Sequence, residues 1–112
     1  MVSIKSISII FLAFLMSACD SDNNISAEKA YMRLNDANVI FLDVRTREEF
    51  LQDGRIQNSV LIPLDKLKDS HNKIEQYIDK EIFVYCRSGR RSEIATSYLT
   101  EHGFKAFNLV GG

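Results

Sequence analysis

Ile82-Phe83-Val84-Tyr85-Cys86-Arg87-Ser88-Gly89-Arg90-Arg91-Ser92-Glu93-Ile94-Ala95-Thr96-Ser97-Tyr98-Leu99 is the stretch that decides how this chain folds. Residues 82–85 are apolar, β-branched or aromatic, as a buried strand requires, and residues 93–99 repeat with helical spacing. Cys86 therefore falls at a strand-to-helix turn. The first amides of a helix have no intrahelical acceptor and carry partial positive charge, so a thiol held there is drawn toward thiolate. The guanidiniums of Arg87, Arg90 and Arg91 act in the same direction. Gly89 admits φ > 0, which lets successive N–H groups turn inward as a nest around a charged sulfur. The alternative is a small hydrophobic cysteine ending a buried strand, with arginines that merely face solvent. Three arginines and a glycine in five residues favour the reactive reading.

Working outward, Val39-Ile40-Phe41-Leu42 reads as a buried parallel strand ending at Asp43-Val44-Arg45. Thr46 caps the next helix and Glu49 completes a capping box, with Phe50 and Leu51 as the apolar side and Asp53-Gly54 as the stop. Further upstream, Ser26 caps a helix from Ala27 to about Asn35 that places Ala30, Tyr31 and Leu34 on one face. Val60-Leu61-Ile62 is a short strand stopped by Pro63, followed by helical pieces at Leu64–Leu67 and Ile74–Ile78. The helix after Cys86 ends at His102-Gly103, and Lys105–Val110 makes the last strand. Strands alternating with helices imply a single α/β domain over residues 26–112, a parallel sheet with helices on both faces and ligands at the carboxyl ends of its strands. Asp43 and Cys86 both fall at such ends. Asp43 and Thr46 read as a strand-end hydrogen-bonding group and a cap. Arg45 either lines the crevice or pairs with a carboxylate. His71 lies in a polar linker and His102 at a helix C-terminus, where the dipole accounts for it.

The length of 112 residues allows one domain, and 46% apolar with 26% charged residues is ordinary for a globular protein. A formal charge of −1 speaks against nucleic acid as a partner. The start is different in kind. Lys5, the apolar run Ile7–Leu15 and the small-residue close at Ser17-Ala18-Cys19 have the layout of a signal peptide over residues 1–18. The run is shorter than the ~20 residues of a membrane-spanning helix. Met16-Ser17-Ala18-Cys19 resembles a bacterial lipobox with Met in place of Leu, which implies a lipid on Cys19, a membrane anchor and a polar tether over residues 19–25, with simple secretion or an uncleaved anchor as the alternatives. Asp20 matches the residue that holds enteric lipoproteins at the inner membrane, so the expected compartment is the periplasm. Without Lys5 the charge of −1 becomes −2, so positive charge at Cys86 is local. With Cys19 lipidated, Cys86 has no disulfide partner in an oxidising compartment, as a thiol kept for chemistry would.

Cysteine-dependent phosphatases share a Cys-x5-Arg loop, usually with His before the Cys, whereas here the count is Cys86-x4-Arg91 after Tyr85. The shorter ring of amides suits a single sulfur better than a phosphate. The loop resembles that of the rhodanese family of sulfurtransferases, and three further segments occur in the family's order. Leu42–Phe50 resembles its first motif. Gly54-Arg55-Ile56 with Val60–Leu64 resembles its Gly-His-Ile segment and following strand, and Leu109-Val110-Gly111-Gly112 resembles its close. Arg55 stands where the family often has His, Asn58-Ser59 where it has Gly-Ala, and the chain contains no Trp. The resemblance, nearest to single-domain exported members, implies a Cys86 nucleophile that takes sulfur from thiosulfate as a persulfide and passes it to cyanide or a thiol. Residues Arg87, Ser88, Gly89, Arg90, Arg91 and Ser92 would bind substrate, with Arg87, Arg90 and Arg91 attracting the dianion. It implies no metal and no cofactor. A sulfur-binding module without turnover and a small phosphatase or arsenate reductase are the rival expectations.

Overall fold

The computed structural model describes residues 23–111. The signal-peptide reading over 1–18, the lipidation of Cys19 and the reading of Asp20 lie outside them. Five strands form one sheet: β1 Asn24–Ser26, β2 Val39–Asp43, β3 Val60–Leu61, β4 Glu81–Tyr85 and β5 Lys105–Val110. Their order is β1-β5-β4-β2-β3, with every neighbouring pair parallel. The helices are α1 Ala27–Tyr31, α2 Arg47–Gln52, α3 His71–Glu75 and α4 Arg90–Glu101, with 3-10 turns at Leu64–Lys66 and Lys68–Ser70. No helix among the described residues is long and apolar enough to cross a membrane.

The strand period of two sorts the core onto the two faces of the sheet. Ile82 and Val84 of β4 join Leu42, Ala106, Leu67 and Ile74 beneath Ala95 and Leu99 of α4. Phe83 and Tyr85 point the other way and cluster with Val39, Phe41, Leu109 and Ala30 of α1. Phe41 and Phe83 meet edge to face at 5.4 Å, a favoured geometry for two ring quadrupoles. Strand β4 is buried on both sides, as its unbroken apolar run requires. Register then positions the site. Asp43 pairs with Tyr85, so β2 and β4 end level and deliver Val44-Arg45 and Cys86-Arg87 to one end of the sheet.

Three expectations are corrected. The tether reading fails at its end, because Asn24 and Ile25 belong to β1 and pair with Asn108 and Leu109. Helix α1 stops at Tyr31 rather than near Asn35, and only Ala30 of its expected face is buried; Tyr31 is 74% exposed and Leu34 38%. Just beyond the helix, the Arg33 guanidinium bonds Asp36 and Glu81, each at 2.8 Å, and so ties the segment that follows to the start of β4. In α2 the capping box of Thr46 and Glu49 is present, yet Leu51 stays exposed and the helix buries no residue. Its place is fixed by polar contacts instead.

Candidate active site

Cys86 follows β4 directly and Arg90 opens α4, so residues 87–89 make the turn between them. Gly89 takes φ 96°, the left-handed conformation the sequence calls for, and its N–H points back at Cys86 Sγ at 3.1 Å. The Ser92 N–H reaches the same sulfur at 3.3 Å and the Ser92 hydroxyl lies 3.4 Å from it. Burial of this half-buried thiol works against ionisation. Hydrogen bonds from the Ser92 side chain and the amides of Ser92, Gly89 and Arg91 outweigh it and hold the pKa below the ordinary thiol value. The cradle that favours thiolate is therefore made of hydrogen-bond donors at a helix start.

Cys86 opens into a cavity of about 510 Å³. Its wall carries Arg87, Ser88 and Gly89 of the loop, Arg45 from the end of β2, Gly54, Arg55 and Ile56, and the apolar edge of Leu109 and Val110. The three expected arginines divide. Arg87 faces the cavity. Arg90 and Arg91 are absent from its lining, and Arg91 is held bidentate by Glu49 at 2.7 and 2.9 Å. That carboxylate also accepts from the Thr46 N–H at 3.0 Å, so one side chain caps α2 and anchors the start of α4. Arg91 thus commits its guanidinium to Glu49 rather than to the cavity wall, while its charge and its amide still act on Cys86.

Arg55 and Arg45 also line the cavity. The Arg55 guanidinium lies 4.5 Å from the Phe50 ring centroid and donates to the Phe50 carbonyl at 2.9 Å. It has no carboxylate within ion-pair distance among the described residues. Arg45 realises both expectations for it. It lines the cavity and pairs with fully buried Asp43 at 2.8 Å, while its Nη2 also donates to the Gly54 carbonyl at 2.7 Å. Arg87 meets Asp53 at 3.6 Å with both side chains well exposed, a contact that neutralises little. The net positive charge on the cavity wall comes from Arg55 and Arg87.

The segment 54–59 that brings Arg55 in is fastened by Tyr85. Its hydroxyl accepts from the Ile56 N–H at 3.1 Å and donates to Ser59 Oγ at 3.0 Å. Asn58 turns the chain at φ 66°, which Asn tolerates better than most side chains. Below the sulfur, fully buried Ser92 also contacts the Gly89 carbonyl at 3.1 Å and the Asn108 side chain at 2.6 Å. Asn108 comes from β5 and gives no sign in the sequence beyond a polar residue in an apolar strand. His71 and His102 stack near Phe104 and Tyr98, and neither lines the cavity. No group of three metal-ligating side chains occurs among the described residues.

The site is therefore a half-buried, hydrogen-bonded cysteine at the carboxyl end of the central strand of a parallel α/β sheet, a candidate nucleophile. The rhodanese-like domain family matches residues 26–112, and the chain belongs to that family. A sulfurtransferase of Allochromatium vinosum is 35% identical over 92 residues, covering 80% of this chain and 83% of that protein. A tRNA uridine(34) hydroxylase of Cronobacter sakazakii is 30% identical over 85% of this chain, which spans only 28% of that protein's length. Among solved structures, a rhodanese-related protein of Thermoplasma volcanium superposes with TM-score 0.73 at 31% identity, over 81% of this chain and 86% of that one. A rhodanese-like domain protein of Staphylococcus aureus gives 0.71 at 32% identity, over 81% and 87%. The single-domain α/β fold with a parallel five-stranded sheet is that of these neighbours.

Proposed function

We propose that the protein is a sulfurtransferase that moves sulfane sulfur from thiosulfate, or a similar donor, to cyanide or a thiol through Cys86. Family membership and the sulfurtransferase relative support sulfur transfer in general. The observation that carries the specific reading is the cradle of Gly89 and Ser92 donors around Sγ at the floor of a cavity walled by Arg55 and Arg87. The Cys86 thiolate attacks the outer sulfur of thiosulfate, the S–S bond breaks, and its electron pair leaves with sulfite. The product is a Cys86 persulfide anion. Its terminal sulfur is then taken by cyanide, giving thiocyanate, or by an acceptor thiolate, giving a new persulfide, and the Cys86 thiolate returns. Loop amides hold the negative charge at each stage, and the guanidiniums attract the dianionic donor. No residue of the chain has to change oxidation state beyond this exchange, and the reaction needs no metal or organic cofactor.

The phosphatase and arsenate-reductase reading is disfavoured because the loop is one residue shorter than Cys-x5-Arg and Arg91, the arginine closing it, is paired with Glu49 and does not line the cavity. The hydroxylase relatives support a second reading, in which the fold serves as one domain within a larger activity on tRNA. Export with a lipid on Cys19, in the periplasm at the inner membrane, belongs to the same proposal. Only residues 20–23 then separate the lipid from β1, a reach of about 14 Å, which keeps the domain against the bilayer. Thiocyanate formation from thiosulfate and cyanide by the reduced protein, beside Cys86→Ser, tests the function. Turnover lost in the variant supports it. A folded, reduced protein that yields no thiocyanate, yet hydrolyses phosphate esters, would reject it.

A further inference from the structure

The Ser92 hydroxyl has one proton and three neighbours that can take it: Asn108 at 2.6 Å, the Gly89 carbonyl at 3.1 Å and Cys86 Sγ at 3.4 Å. When Cys86 is a neutral thiol the chain runs one way: S–H donates to Ser92 Oγ and Ser92 O–H donates to the Asn108 carbonyl oxygen. A thiolate cannot donate. If Ser92 still gave its proton to Asn108, two lone pairs would face each other across the Ser92–Cys86 contact, and the charged sulfur would lose a donor. The amide of Asn108 offers a way out, because its oxygen and NH2 ends have the same shape and opposite polarity.

We propose that Asn108 is a positioning residue whose amide turns over when Cys86 ionises, donating its N–H to Ser92 Oγ and thereby aiming the single Ser92 proton at the sulfur anion. The inference rests on Cys86 being the nucleophile of the proposed reaction. Asn108 touches neither donor nor acceptor; it acts through Ser92. Both side chains are buried, Ser92 completely and Asn108 to 6% exposure, so bulk water does not supply the missing donor. Position also fits. Asn108 lies in β5 opposite Val84 of β4, two residues before Cys86, with α4 and Ser92 above it. On proton loss the Cys86 proton leaves through the cavity, Ser92 keeps its own, and only the direction of the chain reverses. The same orientation serves the persulfide anion.

The charged and titratable groups around Cys86 are Arg45, paired with Asp43, Arg55 and Arg87 on the cavity wall, Asp53 beside Arg87, Arg91 paired with Glu49, and Tyr85 at the preceding position. They are unchanged in every protein compared below.

The test is the pH titration of thiolate ultraviolet absorbance in the full reduced chain, without any sulfur donor, for wild type, Asn108→Asp, Ser92→Ala and the double variant. A carboxylate at 108 can only accept, so it locks the Ser92 proton away from the sulfur. Asn108→Asp is expected to leave about tenfold less thiolate at a fixed pH below the midpoint, the weight of one charge-assisted hydrogen bond. In the Ser92→Ala background the same substitution is expected to change little. A shift of equal size in both backgrounds would overturn the inference, since a carboxylate acting through its field does not need Ser92; so would an unmoved midpoint in Asn108→Asp. Should Asn108→Asp fail to fold, the side-chain NH2 resonances of Asn108 in the wild type decide. They are expected to titrate with Cys86 and to stop doing so in Ser92→Ala, and resonances indifferent to Cys86 ionisation would refute the turnover. A titration that behaves as expected beside absent thiocyanate formation would count against the sulfurtransferase reading and leave the role of Asn108 standing.

Discussion

Neutralising Arg55 tests which charges the cavity uses. A cavity of 510 Å³ is about 10 Å across if taken as a sphere, so a guanidinium on its wall lies about 5 Å from a dianion at its centre. At the dielectric of water that attraction is about 1.7 kcal/mol, and a Debye length of about 8 Å near physiological salt reduces it to about 0.9 kcal/mol. Arg55→Gln should therefore lower kcat/KM for thiosulfate roughly fivefold, carried by KM because the charge acts on capture. Arg55→Lys keeps the charge and should stay close to wild type. Arg87→Gln should fall by less, since the Arg87 side chain is 69% exposed and its charge is more fully screened by solvent, and Arg90→Gln should change little because Arg90 does not line the cavity. At about 1 M salt, where the Debye length is near 3 Å, the Arg55 deficit should almost vanish. The assay is steady-state thiocyanate formation over a thiosulfate series at two ionic strengths. An Arg90→Gln loss equal to that of Arg55→Gln, or an Arg55→Gln loss insensitive to salt, would refute the reasoning.

Other consequences concern stability and the loop. The Arg91 guanidinium, and after it the Thr46 N–H, hold the Glu49 carboxyl well below the usual carboxylate range. A carboxylate depressed in the folded state stabilises fully above its unfolded value of about 4.3 and loses that contribution as the pH falls toward its folded value. The urea midpoint of Glu49→Gln should lie below wild type at neutral pH, with the gap narrowing as the pH is lowered to about 3; a gap that widens on acidification would contradict the sign. Gly89→Ala meets no atom within 4 Å of the added methyl, so its cost is the φ of 96° alone. It should destabilise by about 1 kcal/mol and weaken the Gly89 N–H bond to the sulfur, read as lower thiolate absorbance at neutral pH. Thr96 Oγ1 is buried without a hydrogen-bond partner, so Thr96→Val should raise the urea midpoint, by about 1 kcal/mol in stability, without altering activity. A loss of stability there would mean that the hydroxyl is satisfied.

What could be read from the sequence was what neighbouring residues decide together. The runs at 39–43 and 81–85, the capping box of Thr46 and Glu49, the cap at Ser26 and the glycine turn at 89 each carry their signal within a few residues, and each is in place. Strand β1 has no such signal: Asn24-Ile25-Ser26 holds one large apolar residue, and only its pairing with β5 across more than eighty positions makes it a strand. The segment after α1 is fastened by Arg33 to Glu81, 48 positions away, which no local pattern announces. The loop itself was legible, whereas the sorting of its arginines was not, because Glu49 captures Arg91 across 42 residues. The sequence marks Arg55 only as a departure from the family's pattern, and Asn108 not at all, for the same reason. Each belongs to an element whose local pattern says strand or turn, and only the closed sheet brings it beside Cys86.

The most direct test of the account is the intact mass of the reduced protein after thiosulfate alone, with no acceptor present, beside Cys86→Ser. The account predicts that the wild type gains the mass of one sulfur atom, that cyanide removes it, and that the folded variant gains nothing. An unchanged wild-type mass at thiosulfate concentrations that saturate related enzymes, or an equal gain in Cys86→Ser, would contradict sulfur transfer from thiosulfate through Cys86.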